Sequence, residues 1–489
     1  MEVESQADVI AFLSGGADQV LRTHASMVFL RGDRAFKLKR AVRYSYLDYG
    51  TVERRREACE AELALNFRAA PRLYLAVRPV TRAADGTLAL GGAGAAVDWV
   101  VEMRRFADDA LLDRMAERGA LSAGLIAELT EVIVAFHAAA PSTSAYGGST
   151  AIGGLIDDNA ANLAAGDFAT ARIDRLQVMQ RQALARFGEL LDRRRAAGRV
   201  RRCHGDLHLG NICIFEGRPT LFDAIEFDPA ISNIDVLYDL AFLLMDLRHR
   251  RLDDFASQVF NRYLDASGEA DGLPALPLFL SLRATIRSHV SATIGRAEAA
   301  ESYFALAEML LEPVPPRLIA IGGLSGTGKS TLAAALAPRI GIAPGARVLR
   351  SDVVRKRLLG VAPTTRLGAE GYAEPVTARV FAELCRQAGE ALAAGYGAII
   401  DSVAGRPEQR AAFARVAAQA GVLFTGLWLE APIRTMEGRI GARQRDASDA
   451  TIDVLRQQRM RDFGPIDWAR VDAGGDLSVV LAAARARLG

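Results

Sequence analysis

Two separate stretches of this chain carry residue types at spacings suited to moving a phosphoryl group. The first, Gly323-Leu324-Ser325-Gly326-Thr327-Gly328-Lys329-Ser330, satisfies G-x-x-x-x-G-K-[ST] in full, between the apolar run Leu318 to Ile321 and a helical pattern starting at Thr331. Glycines at 323, 326 and 328 let backbone N–H groups turn inward around phosphate oxygens, where a Cβ would clash. The backbone from Gly323 through Ser325 and Thr327 to Thr331 thus reads as a cradle, with the helix N-terminus aimed at the anion. Lys329 supplies a point charge for the β- and γ-phosphates, and Ser330 a hydroxyl ligand for Mg²⁺. ATP and Mg²⁺ are the cofactors this loop implies. The second stretch is His204-Gly205-Asp206-Leu207-His208-Leu209-Gly210-Asn211, followed by a turn at Glu216-Gly217 and by Leu221-Phe222-Asp223. A carboxylate and an amide lie five positions apart, and a second carboxylate ends a strand. Phosphoryl transfer needs a base for the attacking hydroxyl and oxygen ligands for Mg²⁺; Asp206 fits the base, Asn211 and Asp223 the metal. Magnesium prefers oxygen, so His204 and His208 are left as supports of the loop.

More chemistry follows the first loop. Val348-Leu349-Arg350 reads as a strand running into Ser351-Asp352, and ligands of doubly wound sheets gather at the carboxyl ends of strands. Asp352 is placed to take the proton of an attacking hydroxyl; its alternative reading is a helix N-cap ahead of Val353. Arg355, one helical turn on, is suited to an anionic substrate. Ala398-Ile399-Ile400-Asp401 is a buried strand ending in an acid that could hold Mg²⁺ directly or through water, or simply cap the strand. Beyond the strand Gly426 to Glu430, Arg439 and Arg443 share one helical face. They suit a lid that neutralises charge in the transition state, the alternative being a solvated basic face with Arg434 and Arg445.

These groups need scaffolds, and the chain is long enough for two or three domains. Glu312-Pro313-Val314-Pro315-Pro316 resists helix and strand alike and reads as a stiff linker over 313–316. It separates a first domain, residues 1–312, from a second, residues 317–489. Within the first, strands are expected around the turn Arg31-Gly32-Asp33-Arg34, from Tyr74 to Val80, and from Leu88 to Met103, with a helix from Thr51 to Ala70. Helices dominate from Asp108 onward. A small lobe of about 1–103 and a larger one of about 104–312 follow.

The 60 basic and 58 acidic residues leave a formal charge of +2, which gives no general attraction to nucleic acid or membrane. The four cysteines, Cys59, Cys203, Cys213 and Cys385, form no C-x-x-C pair and read as reduced thiols. The N-terminus, MEVESQADVI, is unlike a signal peptide, and no apolar run reaches the roughly 18–20 residues that span a bilayer. A cytoplasmic protein without a membrane partner is expected.

The second half resembles the small P-loop kinases that include polynucleotide kinases, zeta toxins, gluconate kinases and chloramphenicol phosphotransferases. The resemblance covers nearly all of Arg317 to Gly489. It rests on the phosphate loop, Ser351-Asp352-x-x-Arg355, Asp401 and Arg439-x-x-x-Arg443. It implies a hydroxyl-activating role for Asp352 and a substrate contact for Arg355. The H-G-D-x-x-x-x-N segment resembles the catalytic loop of aminoglycoside phosphotransferases and their protein-kinase-like relatives, over about residues 20–300. That resemblance implies an ATP-positioning lysine, for which Ala35-Phe36-Lys37 fits and Lys39 is second. It implies a partner glutamate on the next helix, Glu62 before Glu57 or Glu60, and a hinge at Val101-Glu102-Met103 where the backbone meets adenine. Asp235 and Asp239 resemble a helix start and read as caps or loop anchors. The chain departs from the kinase pattern in lacking a Gly-rich loop before Lys37, where Thr23-His24-Ala25-Ser26 stands.

The expected fold is thus α/β with α+β: a bilobal protein-kinase-like domain, then a P-loop domain with a doubly wound parallel sheet. The expected activity is ATP-dependent, bifunctional transfer of phosphate to hydroxyls of small molecules such as sugars, aminoglycoside-like compounds or nucleotides. Two alternatives stand beside it: one active kinase domain with a degenerate partner, and a nucleotide-gated regulatory ATPase. Nucleic acid stays open as a partner of the P-loop domain through the polynucleotide-kinase resemblance alone. Neither the acceptor nor the oligomeric state is written in the sequence.

Overall fold

The computed structural model describes residues 4–44, 47–442 and 447–488. They form two compact units, Met1–Asp246 with Leu282–Arg296, and Leu247–Ser281 with Ala297–Gly489.

After helix Ala7–Ser14 the first unit forms an antiparallel sheet of β1 (Gln19–Arg22), β2 (Ser26–Arg31), β3 (Arg34–Lys39), β4 (Tyr74–Arg82), β5 (Leu88–Leu90) and β6 (Ala95–Arg104), in the order β1-β2-β3-β6-β4-β5. The β2–β3 hairpin pairs Arg31 with Arg34 across Gly32-Asp33. Gly32 has φ +55°, the left-handed backbone that a two-residue hairpin turn asks for. Side chains alternate along β3. Phe36 and Leu38 pack with Phe29, Val80 and Val100, so Lys37 and Lys39 share the other face. That face meets helix Val52–Phe67, whose start is capped by Thr51 Oγ1 accepting from the Arg54 amide at 3.4 Å. The helix buries Arg55, Ala58, Cys59, Glu62, Leu65 and Asn66, a spacing of three and four that turns Glu62 inward. Glu57 and Glu60 are exposed. Helices follow, with the hairpin of β7 (Ile212–Phe215) and β8 (Arg218–Leu221) set among them.

The second unit is built on five parallel strands: β9 (Arg317–Gly323), β10 (Arg347–Arg350), β11 (Ala398–Asp401), β12 (Leu423–Glu430) and β13 (Ala469–Asp472). Their order is β10-β11-β9-β12-β13. The chain leaves the central β9 toward one edge, returns, and then crosses to the other side. The carboxyl end of β9 is therefore the switch point at which such sheets bind ligands. Leu318, Ile319, Ala320 and Ile321 are fully buried, as a parallel strand covered on both faces requires. Ile319 and Ile321 join Leu332, Leu336, Leu427, Leu429 and Val480 in one core. Helix Asp253–Ser267 belongs to this unit and covers its edge strand. Asn261 accepts from the Val348 amide at 2.7 Å and donates to the Ala346 carbonyl at 3.1 Å, while Arg347 pairs with Asp265. The proline segment 313–316 runs without regular structure between helix Ala297–Met309 and β9.

Candidate active sites

In the first unit the start of the His204–Asn211 loop is held from below by one carboxylate, and the Leu209 amide farther along by another, Asp246, at 3.0 Å. Asp239, fully buried in helix Val236–His249, accepts from the amides of His204 at 3.0 Å and Gly205 at 2.9 Å. His137 Nε2 lies 3.0 Å from the same group. Burial disfavours the Asp239 carboxylate, but His137, His204 and Arg283 hold its pKa below the usual range. Asp235 anchors the start of that helix, accepting from the Leu237 amide at 2.8 Å and taking Arg194 bidentately at 2.8 and 2.9 Å. Both aspartates are thus anchors. His204 is fully buried, and burial lowers its pKa, so it is neutral. Its Nε2 donates to the Phe222 carbonyl at 2.9 Å, and Nδ1 accepts from the Asp206 amide at 3.3 Å. The tautomer is fixed by its two partners.

Above this base stand the candidate groups. Asn211 donates through Nδ2 to the Asp206 carboxylate at 2.8 Å and to the Asp206 carbonyl at 2.9 Å. That leaves Oδ1 as the side-chain atom with metal-ligand character. His208 Nε2 is 3.3 Å from Asp206 Oδ2. Burial opposes ionisation of Asp206, yet the neighbouring His208 holds it well below the usual carboxylate range. The β7–β8 hairpin carries Asn211 and Asp223 on its two ends, with the Phe222 amide donating to the Asn211 carbonyl at 3.0 Å. The strand stops at Leu221, however, and Asp223 lies two residues beyond it with φ +61°, where a strand-terminal carboxylate was expected. Tyr74 Oη holds its amide at 3.1 Å.

Lys37 and Glu62 meet at 2.8 Å, and Lys37 also pairs with Asp223. Burial alone would lower the Lys37 pKa; Asp223 and Glu62 outweigh it and raise it. Glu62 is drawn down to about 2 by Lys37 and Lys39 against the cost of burial. Lys39, second in the sequence ranking, joins the same site, 2.5 Å from the other Glu62 oxygen and paired with Glu226. Met103, named with Val101 and Glu102 for the hinge, lies within a strand. β6 continues through it to Arg104, with Met103 registered between Ala35 and Tyr74. The next two amides are also engaged, Arg104 to the Leu73 carbonyl at 2.8 Å and Arg105 to that of Asp33 at 2.9 Å. The chain leaves the sheet only at 105–107.

In the second unit Gly323, Gly326 and Gly328 take φ of +130°, +86° and +95°, as a loop curling around an anion requires. Helix Lys329–Leu336 begins directly after them, two residues earlier than the sequence pattern suggests. Lys329 Nζ donates to the Leu324 carbonyl at 2.9 Å and Thr327 Oγ1 to the same oxygen at 2.8 Å. The Ser325 amide donates to Gln458 at 2.9 Å. Ser330 Oγ donates to Asp401 Oδ2 at 2.5 Å, and Arg350 Nε stands 3.6 Å from that oxygen. A cavity of about 1300 Å³ opens over this loop, lined also by Asp352, Arg355, Tyr372 and Arg439. Asp352 is not an N-cap; Arg350 holds that position and Asp352 lies in the first turn of helix Ser351–Leu358. Burial raises its pKa and Asp401 adds to this, while Ser448, Arg350 and Lys329 oppose it.

Two expected arginines are more tethered than their sequence roles suggest. Arg355 donates to the Gly371 carbonyl at 2.8 Å and lies 4.6 Å over the Tyr372 ring. Arg439 donates to the Ala473 carbonyl at 2.9 Å and to that of Thr327 at 3.3 Å, which props the phosphate loop. Arg443, the other lid arginine, and Arg445 lie outside the described residues. The sequence reading missed Asp449, which gathers Lys356 at 3.0 Å, Tyr372 Oη at 2.8 Å and the Leu367 amide at 3.2 Å beside the cavity. No motif marks it, because its partners come from distant segments. Glu226 was findable in principle, three residues after Asp223.

Residues 22–276, more than half of the chain, match the family model described as phosphotransferase enzyme family. The chain belongs to that family. Residues 318–465 match a second model, described as AAA domain. Uncharacterized proteins of Mycobacterium tuberculosis and Mycobacterium bovis are 29% identical over 480 residues, 93% of this chain and 92% of theirs. Similar solved structures include a choline/ethanolamine kinase family protein from Mesorhizobium loti, 15% identical over 63% of this chain and 92% of that one, TM-score 0.39. A gluconokinase from Sinorhizobium meliloti is 20% identical over 36% of this chain and 93% of that one, TM-score 0.26. The protein is a kinase-type phosphotransferase that joins a kinase-like phosphotransferase domain to a P-loop kinase domain. No helix among the described residues is long and apolar enough to cross a membrane.

Proposed function

We propose that this phosphotransferase is bifunctional, each unit transferring the γ-phosphate of its own Mg-ATP to a hydroxyl of a small molecule. The observation that carries the reading is the assembly of two independent sets of groups in separate units. Asp206, Asn211, Asp223, Lys37 and Glu62 converge in one, and Lys329, Ser330, Asp352 and Asp401 in the other.

The donors fit magnesium. Asp223 keeps 44% of its side chain exposed, and Asn211 Oδ1 is turned from Asp206; Ser330 and Asp401 offer a second pair of oxygens. Held by these oxygens, Mg²⁺ would supply positive charge against the negative charge that develops during phosphoryl transfer. The remaining work belongs to side chains. Asp206, ionised at every ordinary pH, orients the acceptor hydroxyl and receives its proton late, as a loose transition state permits. Glu62 fixes the Lys37 ammonium for the nucleotide phosphates. In the second unit the loop amides and Lys329 hold the phosphates, Asp352 takes the hydroxyl proton, and Arg355 faces an anionic acceptor. Arg439 braces the loop. Asn211 with Asp223, and Ser330 with Asp401, hold the metal.

Sugars, aminoglycoside-like compounds and nucleosides are the acceptor classes to test. Wild type, Lys329→Ala and Asp206→Ala are incubated with Mg-ATP and such a panel, and products are read by mass spectrometry. One product lost in each variant is expected. The missing Gly-rich loop before Lys37 favours a second reading, in which only the P-loop unit transfers phosphate. No product sensitive to Asp206→Ala would select it. ATP turnover without any phosphorylated acceptor would select a regulatory ATPase.

A further inference from the structure

Five charged side chains in the first unit form a continuous ladder of alternating sign: Asp223, Lys37, Glu62, Lys39, Glu226. The sequence reading assigns the first three and names Lys39 only as an alternative to Lys37; it does not name Glu226. Lys39 follows Lys37 by two residues in β3, so it faces the same way. Glu62 gives one oxygen to each lysine, 2.8 Å to Lys37 and 2.5 Å to Lys39. Glu226 pairs with Lys39 and accepts from Tyr49 Oη at 2.8 Å. Burial is graded along the ladder. The side chains of Lys39, Glu62 and Glu226 are 2%, 0% and 4% exposed, whereas Asp223 at the other end is 44% exposed.

We infer that Lys39 and Glu226 are positioning residues of the first unit, which keep Glu62 neutralised and the Asp223 segment in place while Lys37 is released from Asp223 to the nucleotide. The inference rests on the reading of that unit as a Mg-nucleotide site. Asp223 is the metal-ligand candidate, yet its carboxylate is taken up by the Lys37 ammonium. A divalent cation arriving at the exposed end competes with Lys37 for it. With a single lysine, any shift of Lys37 toward phosphate would leave a fully buried Glu62 carboxylate without its counter-charge, which a low-dielectric site resists. Lys39 removes that obstacle, because Glu62 keeps one ion pair wherever Lys37 goes. The ladder carries three carboxylates and two ammonium groups, a surplus of negative charge suited to an incoming metal.

Glu226 adds the second function. The segment 222–227 has no regular secondary structure, and Asp223 within it has a left-handed backbone. Such a conformation persists only when its surroundings hold it. The Ala224 amide is fixed to Asn66 at 2.8 Å and the Ile225 amide to the His204 carbonyl at 2.9 Å, and Glu226 closes the segment onto β3 through Lys39.

The test uses the full chain with Lys329→Ala, which silences the P-loop site. Binding of a fluorescent ATP analogue is titrated as a function of Mg²⁺ concentration, with circular dichroism and thermal melting as controls for folding. Lys39→Met is expected to raise the Mg²⁺ midpoint about tenfold or more, with metal-free nucleotide binding changed less than about threefold; Lys39→Arg recovers most of the loss. The double variant Lys39→Met/Glu226→Gln also removes the charge on Glu226, and so separates loss of the Glu62 counter-charge from the cost of leaving Glu226 unpaired. If its Mg²⁺ midpoint stays raised, Lys39 acts as the counter-charge of Glu62. If the midpoint returns to the parent value, or never moves in Lys39→Met, the inference is overturned while the nucleotide site stands. Absence of any nucleotide binding in the folded parent overturns both.

Discussion

Ser330 Oγ donates to Asp401 Oδ2 at 2.5 Å, joining the first turn of the helix after the phosphate loop to the end of β11. In-register pairing of β9 with β11 sets this contact, Ile321 lying opposite Asp401. Arg350 Nε stands 3.6 Å from the same Asp401 oxygen. Asp401→Asn is expected to raise the Mg²⁺ concentration that half-saturates phosphorylation by the P-loop unit about 10–100-fold, the range for groups that orient a metal site. Half-saturation by Mg²⁺ at fixed ATP measures it. An unchanged Mg²⁺ curve would remove Asp401 from the metal site.

Gly326 is irreplaceable for two independent reasons. Its φ is +86°, and a Cβ there would lie 2.7 Å from the Met436 carbonyl oxygen. Gly326→Ala is expected to cost about 1–3 kcal/mol of stability and to abolish nucleotide binding by the second unit. Gly389 is the control. It lies in helix Glu374–Ala393 with nothing within 4 Å of its would-be Cβ, so Gly389→Ala gains up to about 1 kcal/mol. Urea denaturation and nucleotide binding of both variants decide it.

What the sequence disclosed, and what it hid, divides by physical origin. Local constraints were legible: the phosphate loop and the hairpin turn at Gly32-Asp33. Glu62 stands ahead of Glu57 and Glu60 on the family resemblance, and the helical spacing that turns it inward shows in the fold. The strands β9 and β11 show as short apolar runs because both faces are covered. Groups assembled from distant segments were not legible. The Glu226–Lys39 pair joins residues 187 positions apart, and Asp449 reaches back 93 positions to Lys356. Met103 shows the same limit. The hinge at Val101-Glu102-Met103 comes from the family resemblance, and only the register with Ala35 and Tyr74 shows that the strand continues through these residues.

The Asp206–His208 pair makes a titration testable in the first unit. Burial lowers the His208 pKa, but Asp206 and Asp246 outweigh it and raise it above 6.5. A raised histidine contributes stability that is fully present below its unfolded pKa and is lost as pH rises through the folded value. Asp206 is depressed, so its share is present above the ordinary carboxylate pKa and lost as pH falls toward the folded one. The pair therefore stabilises the fold most in weakly acidic solution. In a histidine NMR titration His208 is expected above 6.5 in the wild type and lower in Asp206→Asn. Equal values in the two proteins would show that the 3.3 Å contact is not an ion pair in solution.

Asp352 carries the last prediction, because its burial has opposite consequences for catalysis and for stability. Burial raises its pKa, and Asp401 reinforces this against Ser448, Arg350 and Lys329. A general base must be ionised, so kcat/KM of the P-loop reaction falls on acidification through a limb above the ordinary 3.8. Ser448→Ala removes a hydrogen bond that favours the carboxylate and moves that limb to higher pH. The folded chain holds the Asp352 proton more tightly than the unfolded one. Between the ordinary and the raised pKa, stability therefore declines as pH rises. Asp352→Asn is thus expected to lower the phosphorylation rate about 10²–10⁴-fold. The same variant should melt at or above the wild-type temperature at neutral pH, where the native carboxylate is half-buried and charged. A slower enzyme that is also less stable would assign Asp352 to the scaffold, with the proton going elsewhere.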